Sequence, residues 1–379
     1  MARSMFRISL ALFFAALLAL RADAQQLVQG TTPTGALYAF AVPDDWNGDL
    51  IIYGHGIVDP AAPIALPTTQ DGFTVLKEAL LERGFAVAYS SYSENGYALK
   101  DAFRRLHELP ALFNERLHRR PNRVYLMGHS LGAVAVQMLA ERFPAKYDGA
   151  LAMCGFVSGG RPEVQYLGDV RVLFDAYFPG VLPGNVLEVP TPPASFQPGE
   201  PLFMAVLNAL QQGLFMPGTP TLAFASAAKL PFISVQELIA GALNAIGFNL
   251  RFTGDLLVRT GGKSFYDNLD TIYPPAVDAI VGRFTAERRG VNYLNRFYSP
   301  SGDISFPVMT LHSMRDPVVP LFHEDGYGTL APEAWLVQRT VNSFGHCAIN
   351  QQEVLTAFDD LVRWVKYGER PAGGDATIR

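Results

Sequence analysis

Apolar and polar positions follow two rhythms along the chain. Short, continuous apolar runs stand at residues 35–42 (GALYAFAV), 49–53 (DLIIY), 85–90 (FAVAYS), 123–127 (RVYLM) and 149–153 (GALAM). Runs of this length, without polar alternation, predict strands buried on both faces. Between them lie longer segments with a helical period. Residues 72–83 place Phe73, Leu76, Ala79 and Leu80 on one stripe, and Gly84 stops it. Residues 97–119 have the same pattern, with Pro110 expected to kink or split the helix. Residues 131–143 form a further helix, with Pro144 beyond it. Strands alternating with helices predict an α/β fold, a mostly parallel sheet with helices on both faces.

The rhythm stops near residue 155. As far as 305, Pro and Gly are frequent, and apolar helix-like segments such as 201–215 and 233–248 follow one another. Alternation resumes with strands at 307–312 (PVMTLH) and 336–341 (LVQRTV) and a closing helix at 351–366. The expected organisation is a sheet domain begun by residues 25–154, a largely helical insertion at 155–305, completion of the sheet by 306–369, and a loose tail at 370–379. There is no internal repeat and no low-complexity tract.

Arg3 and Arg7 precede an apolar run at residues 8–20, and Ala22-Asp23-Ala24 follows with small residues at its two ends. This predicts an export signal at residues 1–24, cleaved near Ala24-Gln25, and a secreted or periplasmic mature protein; an uncleaved anchor helix is the alternative. The run is short for a bilayer span, and no later segment matches one, so the mature chain is expected to have no integral membrane segment. Composition agrees with a folded chain: 379 residues, 49% hydrophobic and 17% charged. The net charge is -5 and becomes about -7 without the leader's three arginines and one aspartate, which leaves no basic footprint for nucleic acid. Cys154 and Cys347 are the only cysteines. After export such a pair is expected to form one bridge; two buried thiols are the alternative.

The candidate chemistry centres on Gly128-His129-Ser130-Leu131-Gly132, a G-x-S-x-G pattern between a strand and a helix. Either the glycines merely permit a tight turn, or the turn lifts the Ser130 hydroxyl above the sheet edge for use as a nucleophile. A serine hydroxyl needs a base, and the base needs an orienting carboxylate. Asp316 follows the strand at 307–312, and His346 follows the strand at 336–341, so the chain order is Ser, Asp, His. Asp325 and Asp303 compete with Asp316, and Asp303 lies on the wrong side of its strand. The oxyanion donors would be the amide of Leu131 and that of Ile57, with Gly56 the alternative, in the Gly54-His55-Gly56 loop. His55 either contributes its ring to the pocket or only orders this loop. His129 is expected to pack or hydrogen-bond locally. Glu94 and Tyr97 either line the pocket or start a solvated helix. His107 and His118 are read as solvated, His312 as support for Asp316, and His323 as a surface or helix-start residue. The stripe Phe203, Met204, Leu207, Leu210, Leu214 and Phe215 either forms an apolar acyl pocket or seals the insertion onto the core.

These residues resemble an α/β-hydrolase-fold serine esterase of the secreted bacterial type. The resemblance rests on GHG at 54–56, GHSLG at 128–132, RDPVVP at 315–320 and GH at 345–346, and covers residues 35–153 and 306–367. It implies the α/β-hydrolase fold, with the insertion as a cap or lid, and a Ser130–His346–Asp316 triad hydrolysing carboxylic esters through an acyl-enzyme. It also implies that the histidine loop reaches back toward the nucleophile, where a Cys154–Cys347 bridge would tether it. The reaction requires no cofactor and no metal. The expected partner is an ester of apolar or aromatic character, small or polymeric. The alternatives are a peptidase of the same fold, with Glu94 as the site for a free amine, and a non-catalytic binding module.

Overall fold

The computed structural model describes residues 25–68, 72–190 and 195–378. The expected leader at 1–24 lies outside the described residues. The first part of the chain supplies β1 (Gln25–Thr31), β2 (Leu37–Pro43), β3 (Asp49–Gly54), α1 (Phe73–Leu81), β4 (Ala86–Ser90), α2 (Leu99–Leu117), β5 (Arg123–His129), α3 (Leu131–Arg142) and β6 (Gly149–Met153). The last part supplies β7 (Val308–Arg315), α10 (Phe322–Gly328), β8 (Leu336–Phe344), α11 (Gln351–Tyr367) and β9 (Gly374–Asp375). One nine-stranded sheet results, in the order β1-β2-β4-β3-β5-β6-β7-β8-β9. β2 runs antiparallel to its neighbours, while β4 and every strand from β3 to β9 pair in parallel.

The apolar runs are continuous because both faces are covered. Leu50 and Ile52 enter one core with Leu106 of α2 and Val134 of α3. Ile51 and Tyr53 enter the other with Leu80 of α1 and Phe358 of α11. This is the period-two alternation of a strand buried on both sides.

Between β6 and β7 the chain forms helices α4 (Gly160–Tyr177), α5 (Pro201–Gly213), α6 (Pro220–Ala227), α7 (Val235–Thr260), α8 (Pro275–Asp278) and α9 (Arg288–Tyr298). α7 begins at a Ser234 cap that accepts the Glu237 amide and ends at Gly261 with φ 72°. Among the described residues, no helix is long and apolar enough to cross a membrane.

One expectation narrows here and one fails. Pro110 does not split α2: the helix is continuous, because Leu99, Ala102, Leu106, Leu109 and Phe113 form one buried stripe on both sides of the proline. Packing of that stripe outweighs the missing rung. Residues 370–378 do not form a loose tail. Gly374 and Asp375 pair with Arg339 and Thr340, Arg339 Nε donates to the Ala372 carbonyl, and the Asn342 amide donates to Thr377 Oγ1. Backbone pairing at the sheet edge needs no apolar pattern in the added strand.

Candidate active site

Parallel pairing puts the carboxyl ends of β3, β5, β7 and β8 on one edge of the sheet. Ser130 follows β5 directly, Asp316 follows β7 directly, and His346 comes two residues after β8. Ser130 has φ 51° and ψ -121°, in the left-handed region, and caps α3. Two glycines make the turn possible. A Cβ on Gly132 would lie 2.2 Å from the Gly54 carbonyl oxygen, and one on Gly128 would lie 2.5 Å from that of Gly132. Their small size lets the start of α3 press against the end of β3.

The three side chains form a hydrogen-bonded row. His346 Nε2 lies 2.9 Å from Ser130 Oγ, and His346 Nδ1 lies 2.7 Å from Asp316 Oδ2. Asp316 is fully buried, and its Oδ1 accepts the amides of Val318 and Val319, each at 2.9 Å. The ring therefore donates from Nδ1 to Asp316 and presents Nε2 as acceptor to the Ser130 hydroxyl. Asp303 and Asp325 are not in the row.

Cys154 and Cys347 are joined by a disulfide with a Cα–Cα distance of 5.2 Å. Cys154 directly follows Met153, whose carbonyl accepts the Ser130 amide at 2.9 Å. The bridge thus ties the His346 loop to the strand beside Ser130. The C154A/C347A double variant is expected to lose about 2–5 kcal/mol of stability, and to lose kcat because His346 is held less firmly. Thermal unfolding and kcat measured together test this; if neither changes, the loop needs no tether.

The inserted helices brace the carboxylate loop. Glu237 of α7 pairs with Arg315 at 3.1 Å, and a Cβ on Gly241 would lie 3.1 Å from Pro317 Cβ. The Tyr166 hydroxyl of α4 donates to the Pro317 carbonyl at 2.8 Å. Behind Asp316, His312 is fully buried, with Nε2 2.7 Å from the Val319 carbonyl and 3.8 Å from Asp316 Oδ2, and Nδ1 3.2 Å from Glu324 Oε1. Burial opposes its charge, but Glu324, Asp316 and the Val319 carbonyl outweigh burial and raise its pKa.

His323 corrects its surface reading. It is fully buried, with Nδ1 2.7 Å from Ser158 Oγ and Nε2 3.0 Å from Glu163 Oε2. Burial, then the nearby Asp316, raises Glu163 well above its ordinary 4.5, while burial, then His312, lowers His323 well below 6.5. Glu163 keeps a proton that it loses on unfolding above pH 4.5, so its contribution falls as pH rises toward its folded pKa. His323 stays neutral, so its contribution falls as pH drops below 6.5. The two trends oppose each other, the His323 loss acting toward acid and the Glu163 loss toward alkali. Glu163→Gln keeps a donor to His323 and should make the alkaline decline shallower while leaving the acid decline as it is; the part due to His312 remains. Melting temperatures from pH 4 to 9 check it, and the same alkaline slope in both proteins would refute it.

The other candidates have partners of their own or serve the loops around the row. His129 Nδ1 is 3.0 Å from the Tyr53 hydroxyl, because its position in β5 turns it to the opposite face. His55 is buried and stacked on Tyr92 at 3.9 Å, and its Nδ1–H donates to the Gly56 carbonyl at 2.7 Å, which orders the loop carrying Gly56 and Ile57. Leu131 opens α3, where the first amides have no partner within the helix. His107 is half-buried, stacked on Phe143 at 4.0 Å and 2.9 Å from the Tyr147 hydroxyl, rather than solvated. His118 is exposed.

A cleft of about 490 Å³ reaches His346 and Val318. Its walls are Phe196, Gln197, Pro198 and Phe203, and one face of α7: Ala240, Leu243, Asn244, Gly247, Phe248, Arg251 and Phe252. Their spacing of three and four residues is that of a single helical face. Glu94 and Tyr97 do not line it. Glu94 is held by Arg259 at 2.6 Å, and Tyr97 is buried edge-on against Phe248 and Phe252. Of the residue 203–215 stripe only Phe203 reaches the cleft; Leu210 is buried, and Met204 and Phe215 are exposed.

No family model matches the sequence, and no curated protein matches it. Solved structures do. An esterase from Aspergillus oryzae is 14% identical with a TM-score of 0.53, over 92% of this chain and 80% of that one. Feruloyl esterase B from Aspergillus oryzae is 14% identical with a TM-score of 0.51, over 92% and 82%. The chain has the α/β-hydrolase fold, as its motifs led one to expect.

Proposed function

We propose that the protein is a serine hydrolase of carboxylic esters. The observation that carries this reading is the row Ser130 Oγ, His346 Nε2, His346 Nδ1 and Asp316 Oδ2, with spacings of 2.9 and 2.7 Å, at the mouth of an apolar cleft. Ser130 attacks the ester carbonyl while His346 takes its proton and then passes it to the leaving alcohol. Asp316 holds the ring in the required tautomer and balances its transient charge. The amides of Leu131 and of Ile57 or Gly56 receive the oxyanion. Water, activated by the same ring, then splits the acyl-enzyme into acid and free Ser130.

Phe196, Phe203, Leu243, Phe248 and Phe252 along the cleft support an apolar or aromatic ester. Both structural relatives are esterases by name, one of them a feruloyl esterase, which fits this reading. The leader-like residues 1–24 and the disulfide support work outside the cytoplasm. The peptidase alternative is weaker, because its amine site would be Glu94, already paired with Arg259. The test is a panel of p-nitrophenyl esters and aminoacyl anilides, run on the wild type and on Ser130→Ala. Turnover of the esters alone is the expected result.

A further inference from the structure

The cleft beside His346 is apolar along most of its length, yet Arg251 stands in its wall. Arg251 is half-buried, and its guanidinium lies 5.9 Å from the Phe252 ring centroid. Among the described residues it has no ion-pair partner, and no Asp or Glu lines the cleft. The other arginines of residues 155–305 that are buried or half-buried show the contrast: Arg171 pairs with Asp175, Arg259 with Asp255 and Glu94, and Arg283 with Asp278, and the remaining four are exposed. A half-buried guanidinium facing an aromatic channel gains from a carboxylate that brings two parallel acceptor oxygens.

We propose that Arg251 is a carboxylate-binding subsite of this cleft, and that the preferred substrates are esters with an apolar spacer ending in a free carboxylate. The proposal rests on the ester-hydrolase reading above and names the substrate class of the same site. Geometry sets the spacer. Gly241 of α7 meets Pro317, beside Asp316, and Arg251 stands ten residues further along the helix. That separation is about 15 Å of helix axis. The intervening wall is Leu243, Gly247 and Phe248, with Phe196 seated where a Cβ on Gly247 would be 2.9 Å from its ring. On this spacing a short half-ester bound at Ser130 is expected to fall short of Arg251. A medium-chain half-ester can reach it, with its methylenes against the phenylalanines and its carboxylate on the guanidinium.

The experiment compares monomethyl sebacate with dimethyl sebacate, and monomethyl malonate with dimethyl malonate, at neutral pH. The wild type should favour the sebacate half-ester over its diester by about tenfold or more in kcat/KM, the range of a charge-assisted hydrogen bond, and should show no such preference with malonate. In Arg251→Gln the sebacate ratio should fall at least tenfold, through KM rather than kcat, and Arg251→Lys should restore part of it. An equal ratio in wild type and Arg251→Gln overturns the proposal, as does an equal preference with malonate. Failure of the hydrolase reading looks different: the wild type turns over none of the four esters. The subsite is then read by calorimetry with free sebacate, which should bind the wild type and bind Arg251→Gln at least tenfold more weakly. Equal binding to both overturns the subsite as well.

Discussion

Ser130→Ala is expected to lower kcat for p-nitrophenyl ester hydrolysis by about 10⁵- to 10⁶-fold, with KM changed little. In the proposed mechanism the hydroxyl forms the covalent bond, so no neighbour can take its place, and what remains is the catalysis of the oxyanion donors and of substrate binding. The fold should tolerate the change. Alanine keeps the Cβ in the turn at φ 51°, and the side chain loses one hydrogen bond, to His346. The melting temperature should therefore move by no more than about 3 °C. A fluorophosphonate probe should label the wild type and not the variant. A variant that retains more than about one part in a hundred of wild-type kcat would remove Ser130 from the chemistry, because loss of a nucleophile cannot leave so much.

The row was legible in the sequence for a physical reason. A serine lifted on a strained turn requires glycines at fixed offsets, and here Gly128 and Gly132 face backbone that a Cβ would strike. Asp316 and His346 follow the ends of parallel strands, and the apolar runs mark those ends in the sequence. What stayed hidden depends on partners distant along the chain. His323 sits in a polar stretch, LFHEDGYG, yet is sealed in by Glu163, 160 residues earlier. Glu94 looks free until Arg259, 165 residues later, is placed beside it. Local pattern records the solvation of a segment alone and is blind to such pairings. α7 shows the same limit. Its apolar period is visible through residue 248, but the helix continues to Thr260, and the turn carrying Arg251 looks like an ordinary polar end. Only the wall of the cleft shows which side of that turn meets His346. Of the helices between β6 and β7, α5 and most of α7 were legible as helix-like segments. The bracing of the carboxylate loop by the inserted helices, through Glu237–Arg315, Gly241–Pro317 and Tyr166–Pro317, was not, since each contact joins segments that the sequence separates widely.

Asp316→Asn should lower kcat by about 10⁴-fold at neutral pH while leaving the fold intact. The surroundings of the carboxylate fix the outcome. Oδ1 accepts two amides, from Val318 and Val319, and Oδ2 faces His346 Nδ1 at 2.7 Å. An asparagine has one oxygen and one NH2. Placing the NH2 against the two amides would set donor against donor in a fully buried site, a costly arrangement. The oxygen therefore takes the Oδ1 position, and the NH2 points at His346. The ring must then accept at Nδ1, which moves its proton to Nε2, the atom that has to take the Ser130 proton. Every atom stays near its place and the base is disabled. Nitrogen NMR of His346 should show the proton on Nδ1 in the wild type and on Nε2 in the variant. Asp316→Ala offers a control, because it imposes neither tautomer and leaves the two amides without an acceptor; it should lose stability as well as rate. If Asp316→Asn loses less than tenfold in kcat, or its imidazole still carries the proton on Nδ1, the carboxylate is serving the loop and not the base.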